Sequence, residues 1–176
     1  MKTLEQKLEK EILTINDFPK KGIAFKDLQS ILSNPELVSD IVESFVNQIE
    51  KNVTVIVGLE SRGFLFGMLI AKELGLPFVM LRKPGKLPPP VINLKYLKEY
   101  GSDSIEIREG VISENDKVHI HDDLLATGGS AKAAQDLIKK SGAEVSGFSF
   151  VMELPRLKGR DVLDSRSIVS LVKFNN

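Results

Sequence analysis

The chain has no cysteine, which removes disulfide scaffolds, cysteine-type zinc sites and thiol nucleophiles from consideration together. It also lacks any run approaching the ~20 apolar residues that a bilayer-crossing helix needs. Its amino terminus, Met1-Lys-Thr-Leu-Glu-Gln-Lys-Leu-Glu-Lys-Glu-Ile-Leu13, alternates charge with apolar residues where a signal peptide would carry an unbroken apolar stretch. A cytoplasmic protein without a membrane partner is expected. Net charge is missing as well: 24 basic residues balance 24 acidic ones, so no overall field draws the chain to a polyanion, and nucleic acid is not expected as a partner. Any phosphate must be held locally. Histidine is scarce, with only His119 and His121. The two lie i, i+2 on one strand face with no further metal ligand or facing nucleophile in view, which favours packing or hydrogen bonding beneath a site.

What the chain does have is enough apolar material, 42% of 176 residues, to bury the core of one α/β domain spanning 1–176. Leu4, Leu8 and Ile12 recur at helical spacing among Glu and Lys, which predicts an amphipathic helix lying on the domain or on a partner subunit. Asn34-Pro35-Glu36 supplies an N-cap, a proline at the first helical position and an acidic first turn ahead of Leu37, Ile41, Phe45 and Ile49. A nearly continuous apolar run at 54–59 predicts a strand covered on both faces, followed by a helix at 64–74 that ends at Gly75 and a strand at 78–82. The same order returns at 117–122 (strand), 130–140 (helix, stopped by Gly142) and 144–154 (strand), with a closing strand at 167–174. The fold class this predicts is α/β, a doubly wound, mostly parallel sheet flanked by helices.

Residues 83–110 interrupt the alternation. Lys83-Pro-Gly-Lys-Leu-Pro-Pro-Pro90 cannot sustain a helix, while 91–96 and 104–108 read as a hairpin, so this stretch is expected to be a mobile flap.

The most informative segment runs from Val118 to Ala134: an apolar strand ends in Asp122 and Asp123, passes through Ala126-Thr-Gly-Gly129 and opens a helix at Ser130. Gly128 and Gly129 allow positive φ and close backbone approach, and the helix N-terminus adds partial positive charge, which together make a seat for a phosphate dianion. Thr127 and Ser130 can add hydroxyls. No lysine follows the glycines, so this is not a Walker A loop and no transferable γ-phosphate is implied. Two carboxylates beside a phosphate would raise the cost of binding it unless something else faces them. Ribose hydroxyls, or a hydrated Mg²⁺ with its preference for oxygen ligands, meet that requirement. A phosphorylated sugar accounts for the whole segment, at the carboxyl end of a strand where α/β folds bind ligands.

Asp122-Asp-Leu-Leu-Ala-Thr-Gly-Gly-Ser130 resembles the phosphoribosyl pyrophosphate signature of the type I phosphoribosyltransferases, and its Leu-Leu-Ala-Thr-Gly-Gly wording resembles their adenine-specific branch. Three further segments match that branch in order: Asp17-Phe-Pro-Lys-Lys-Gly-Ile-Ala-Phe-Lys-Asp27, Gly58-Leu-Glu-Ser-Arg-Gly-Phe-Leu-Phe-Gly67, and Arg82-Lys-Pro-Gly-Lys-Leu-Pro88 followed by Glu99-Tyr-Gly101. The match covers about residues 12–174.

The resemblance implies an enzyme of purine salvage that joins adenine to phosphoribosyl pyrophosphate, giving AMP and pyrophosphate. Mg²⁺ would be held mainly through substrate and water, and the working unit would be a homodimer. It further implies a base-binding hood at 1–30, with backbone groups from Ala24, a stacking face from Phe25 and a contribution from Lys26. Glu60, Ser61 and Arg62 are the implied pyrophosphate loop, and Arg82, Lys83 and Lys86 neutralise the diphosphate within the subunit or across a dimer. Asp122 and Asp123 are placed at the ribose, with Asp123 catalytic. Ala126, Thr127, Gly128, Gly129 and Ser130 hold the phosphate. In the flap, Glu99 is the implied acid near the purine and Tyr100 its cover. Three departures stand out: Lys26 where an arginine is usual, Ser130 where threonine is usual, and histidines at 119 and 121 where the strand is otherwise apolar. Transfer to another purine base remains an alternative. A phosphoribosyl pyrophosphate sensor in transcription is a weaker one, because such a protein should carry a DNA-binding extension or a basic face.

Overall fold

The structure is a computed structural model that describes residues 2–97, 102–164 and 167–175. Helix α1 (Leu4–Glu11) begins in a capping box, in which the Thr3 hydroxyl accepts the Gln6 N–H and the Gln6 side chain accepts the Thr3 N–H. A short antiparallel ribbon follows, β1 (Leu13–Asn16) against β2 (Ala24–Asp27), then one turn of helix, α2 (Gln29–Leu32). The Asn34 side chain caps α3 (Pro35–Val46), which buries Leu37, Ile41, Val42 and Phe45 along one face.

Strand β3 (Val55–Leu59), helix α4 (Gly63–Leu74) and strand β4 (Phe78–Leu81) form the first β-α-β unit, with Gly75 ending the helix at φ 66°. After the hairpin β5 (Val91–Leu97) and β6 (Ser102–Arg108) comes a second unit, β7 (Lys117–Leu125), α5 (Gly129–Lys140) and β8 (Glu144–Glu153). Two 3₁₀ turns, Pro155–Leu157 and Gly159–Val162, lead to the last strand, β9 (Ile168–Lys173). The ribbon β1–β2 is not visible in the sequence pattern, since every residue of β1 is exposed and no burial periodicity marks it.

The five central strands are parallel and stand in the order β4-β3-β7-β8-β9. Helix α4 packs into the core on one face, with α1, α3, Phe66 and Ile70, whereas α5 and the β5–β6 hairpin pack on the other, with Val57, Ile120, Phe148 and Leu137. This is the doubly wound sheet predicted from the sequence. From β3 the chain winds one way to β4, and from β7 it winds the other way to β8. The winding therefore reverses between β3 and β7, and a crevice opens beyond their carboxyl ends, where open α/β sheets bind ligands. Glu60 leaves the end of β3, and Asp122 and Asp123 lie near the end of β7.

Candidate active site

Asp123 is buried and forms a 2.8 Å ion pair with Arg62. Asp122 accepts the Asp123 backbone N–H at 2.9 Å. The amino end of α4 is pressed against this pair so closely that a Cβ on Gly63 would come within 2.8 Å of Asp122 Oδ1 and 2.9 Å of the His121 carbonyl oxygen. Only glycine fits there. Burial, and then the neighbouring charge of Asp123, hold the Asp122 carboxyl well above the usual carboxylate range. Burial raises Asp123 too, against the opposing pull of Arg62. One guanidinium thus faces two enclosed carboxylates, a site electrostatically disposed to accept hydroxyl donors or a cation.

Five residues beyond Asp123, the chain turns at Gly128 with φ 80° and starts α5 at Gly129, one residue before the predicted start. The first-turn N–H groups of an α-helix have no acceptor within the helix, so this end can receive a phosphate together with the exposed Thr127 and Ser130 side chains. Tyr96 of the hairpin reaches Ser130, hydroxyl to hydroxyl, at 3.4 Å. A cleft of about 190 Å³ opens here, and Glu60, Arg82, Lys83, Tyr96, Asp103 and Ser130 are among its lining residues. Ser130, at the start of α5, and the basic loop therefore line one cavity.

Across that cleft the cations are gathered on Glu60. Arg82 Nε approaches its carboxylate at 3.3 Å, the Lys83 backbone N–H donates at 2.9 Å, and the Lys86 ammonium donates to its other oxygen. Burial alone would raise the Glu60 carboxyl, yet Lys86, the Lys83 N–H and Arg82 together bring it down to about 2. The peptide between Glu60 and Ser61 is cis. A second glutamate fixes the same loop from the hairpin side. Glu106 accepts the Gly85 N–H at 3.1 Å and the Asn93 amide at 3.1 Å, and it exchanges backbone hydrogen bonds with Arg82 at 3.0 and 2.7 Å.

The amino-terminal segment joins the site through Arg62. That guanidinium donates to the Lys26 carbonyl at 3.0 Å and lies 4.9 Å from the centre of the Phe25 ring, while its other arm holds Asp123. The resemblance places Arg62 at the diphosphate; in this structure it links the β1–β2 ribbon to the acidic pair. Lys26 sends its side chain inward, where it is 3% exposed, donates to the Thr14 hydroxyl at 2.8 Å and sits over the Phe174 ring. Burial lowers its pKa. Its ammonium is thus turned away from the crevice, and only its backbone lies at the site. Ala24 is exposed on the ribbon and Phe25 is half-buried, edge-on to Phe18 at 5.2 Å.

His119 and His121 lie under the acidic pair. His119 Nε2 and His121 Nδ1 both hydrogen-bond the Ser149 hydroxyl at 2.9 Å. Burial lowers the two imidazoles to about 4 and about 3, so both are neutral near neutral pH. They act as packing and hydrogen-bonding residues.

Glu99 and Tyr100 lie outside the described residues. The residues that the sequence left unmarked are those whose partners are distant in the chain: Glu106, Thr14, Tyr96, Ser149 and the pair Glu153 and Arg160. Glu153 carried one usable signal, a carboxylate closing an apolar strand as Asp122 does, which demands a partner.

A profile of the phosphoribosyl transferase domain matches residues 27–174. An adenine phosphoribosyltransferase of Methanococcus vannielii is 48% identical over 170 residues, covering 96% of this chain and 98% of that protein. Among solved structures, the adenine phosphoribosyltransferase of Thermoanaerobacter pseudethanolicus superposes with a TM-score of 0.93 at 42% identity, covering 98% of this chain and all of that one. The Trypanosoma brucei enzyme, solved in complex with AMP, pyrophosphate and ribose-5-phosphate, superposes with a TM-score of 0.87 at 32% identity, covering 98% of this chain and 80% of that one. With its crevice at the reversal between β3 and β7 and these relatives over nearly its whole length, the chain belongs to the phosphoribosyltransferase family, in the adenine phosphoribosyltransferase branch.

Proposed function

We propose that adenine and phosphoribosyl pyrophosphate meet in the crevice beyond β3 and β7, where pentosyl transfer yields AMP and pyrophosphate. The reaction is that of the branch. The observation that carries the residue assignment is the contiguity, at one strand end, of a charge-enclosed acidic pair and a glycine turn opening a helix, with a cationic loop across the same cleft. The turn 126–130 seats the 5-phosphate, with Thr127 and Ser130 donating hydroxyls and Gly128 and Gly129 letting the backbone approach. Asp122 and Asp123 face the ribose, whose hydroxyls can donate to them.

Arg82, Lys86 and the Lys83 N–H exchange Glu60, and the Lys83 ammonium exchanges Asp103, for the diphosphate, stabilising the charge that develops as the bond from C1′ to the leaving oxygen breaks. Ser61 and Arg62 complete the pyrophosphate loop, and release of Arg62 from Asp123 frees that carboxylate for the sugar. Backbone groups of Ala24 and Lys26, with the ring of Phe25, orient adenine so that its nitrogen attacks C1′. Glu99 orients the base and exchanges a proton with it, and Tyr100 covers the site against water.

Two carboxylates fit a hydrated Mg²⁺, but among the described residues no cluster of three or more candidate ligands could hold one alone. The diphosphate and water would supply the remaining oxygens. When bound, the ion would neutralise part of the diphosphate charge.

The same proposal includes a cytoplasmic homodimer. Leu65, Met68 and Leu69 are exposed at i, i+3 and i+4 on α4, and Met80 is exposed on the edge strand β4, an apolar face suited to a second copy. Met68→Glu should shift the sedimentation coefficient of the purified chain towards that of a monomer; an unshifted coefficient would remove this face as the contact. Cell fractionation tests the compartment.

The decisive assay supplies phosphoribosyl pyrophosphate and Mg²⁺ with adenine, hypoxanthine, guanine, xanthine or orotate separately and follows pyrophosphate and the nucleotide formed. Turnover with adenine alone is expected. Turnover with another base instead would discard the assigned base contacts.

A further inference from the structure

The turn that seats the phosphate is supported from beneath by a segment that the reaction does not touch. Between β8 and β9 the chain crosses under Ala126–Gly128 as two 3₁₀ turns, with Lys158 at φ 54° between them. The contact is backbone against backbone. A Cβ on Gly159 would run into the Ala126 carbonyl oxygen and come within 3.0 Å of the Gly128 nitrogen, and one on Gly128 would strike the Gly159 carbonyl. The Val162 and Leu125 side chains flank the same contact, but the nearest approach is between the two backbones, so a displacement of Gly159 is passed to the turn whose N–H groups must aim at a phosphate.

Irregular backbone of this kind needs an anchor, and the next residue provides one. Arg160 donates through Nε and Nη2 to the two carboxylate oxygens of Glu153, each at 2.8 Å, through Nη1 to the Ile168 carbonyl at 2.8 Å, and through Nη2 to the Ser170 hydroxyl at 2.8 Å. Ser170 in turn donates to Glu153 at 2.5 Å. Glu153 is 4% exposed at the end of β8. Its burial would raise its carboxyl, and the bonds from Arg160 and Ser170 outweigh that and hold it low. The adjacent Leu154 N–H donates to the Leu125 carbonyl at 2.9 Å, tying the same point to the last residue before the phosphate turn. On the far side, Asp164 donates its backbone N–H to Gln135 of α5. The planar fork of one guanidinium thus fixes a rigid spacer between the sheet and the phosphate seat, a task that a lysine's single ammonium cannot duplicate.

We propose that Arg160, held by Glu153 and Ser170, is a positioning residue for the 5-phosphate seat, setting the affinity for the phosphoribosyl end of the substrate and not for its diphosphate end. This rests on the reading of 126–130 as that seat. The test uses the full chain and two probes, ribose 5-phosphate and inorganic pyrophosphate, titrated calorimetrically, with far-UV dichroism and melting recorded for each variant. Arg160→Lys should weaken ribose 5-phosphate about tenfold, the loss of roughly one charge-assisted hydrogen bond's worth of preorganisation. Pyrophosphate binding and the KM for adenine should stay unchanged, while the KM for phosphoribosyl pyrophosphate rises.

A lowered melting temperature with unchanged ribose 5-phosphate affinity would reduce the pair to a structural brace and overturn the proposal, as would equal weakening of both probes. Should Arg160→Lys fail to fold, Ser170→Ala removes one hydroxyl and keeps the ion pair. It is expected to weaken ribose 5-phosphate about threefold with pyrophosphate unmoved, and no change overturns the proposal. Thr127→Val with Ser130→Ala serves as the separate control: if that variant binds ribose 5-phosphate as wild type does, the seat itself is misassigned and the proposal falls with it.

Discussion

Two carboxylate groups at the ends of neighbouring strands face the same crevice in opposite electrostatic states. Glu60, beyond β3, is surrounded by Arg82, Lys86 and the Lys83 N–H and stays ionised down to about pH 2. The pair Asp122–Asp123, beyond β7, shares one guanidinium and resists carrying two charges. The first is over-supplied with positive charge and the second under-supplied. A substrate with an anion at one end and hydroxyl donors in the middle would resolve both imbalances at once: under the proposed assignment its diphosphate would take the cations from Glu60, and its ribose would give the acidic pair hydroxyl donors. The resting site therefore holds, in internal ion pairs, the groups that the proposed function assigns to the substrate.

The largest effect should come from the under-supplied side. Asp123→Asn is expected to lower turnover by about 10²–10³-fold with the fold intact, the scale of losing one preorganised electrostatic group at the reacting centre; initial rates together with a native dichroism spectrum check this. Near-normal turnover would remove Asp123 from the mechanism. Next comes the support of that pair. Gly63→Ala drives a methyl group against Asp122 Oδ1 and the His121 carbonyl, and should cost about 1–3 kcal/mol of stability, as overpacking does, along with affinity for the sugar, both readable by melting and by ribose 5-phosphate titration.

A smaller change is expected across the cleft. Glu60→Gln removes the resting partner of cations that the diphosphate itself engages, so kcat/KM should fall only roughly threefold, the scale of a half-exposed ion pair. The acid limb of the pH profile should also stay where it is. The raised carboxyls are those of the aspartates, so activity should be lost as pH falls through their elevated range, well before Glu60 takes up a proton. A shift of that limb in Glu60→Gln would break the comparison.

The smallest effect is predicted for His121→Gln, which should leave the pH dependence of turnover unchanged because the imidazole is already neutral. Its signature is in stability. Both imidazoles titrate in the folded chain below the ordinary histidine value of 6.5, so their contribution to stability is complete above that pH and is lost as pH falls through about 4 for His119 and about 3 for His121, by on the order of 3 kcal/mol for each. Melting curves across that window should show a shallower loss in the variant.

Much of this was legible in the chain because it is local. The β3 run of five buried residues, the Asn34-Pro35 start of α3 and the order strand, acidic pair, glycine turn, helix are all contiguous signals. What stayed hidden depends on distant partners. Nothing beside Glu60 in sequence announces that it collects Arg82 and Lys86, and nothing beside Lys26 shows that its ammonium lies between Thr14 and Phe174 instead of facing the base. Arg62 was read as a diphosphate ligand from its loop, whereas its present partners, Asp123 and the Lys26 carbonyl, come from two other segments. The ribbon β1–β2 escaped for a different reason. Every residue of β1 is exposed and the buried residue of β2 is a lysine, so the apolar alternation that betrays a half-buried strand is missing.

Glu106 belongs to the hairpin, yet it grips the basic loop at Gly85 and shares two backbone hydrogen bonds with Arg82. Hairpin and cationic wall are therefore tied into one unit. In the function proposed above, an opening of the hairpin would withdraw the counter-charges of the diphosphate in the same movement that admits water, so the leaving group would lose its hold as its exit opened. Its closure would return charge and enclosure together, and the reactive sugar would never be held in a closed site that lacks its cations.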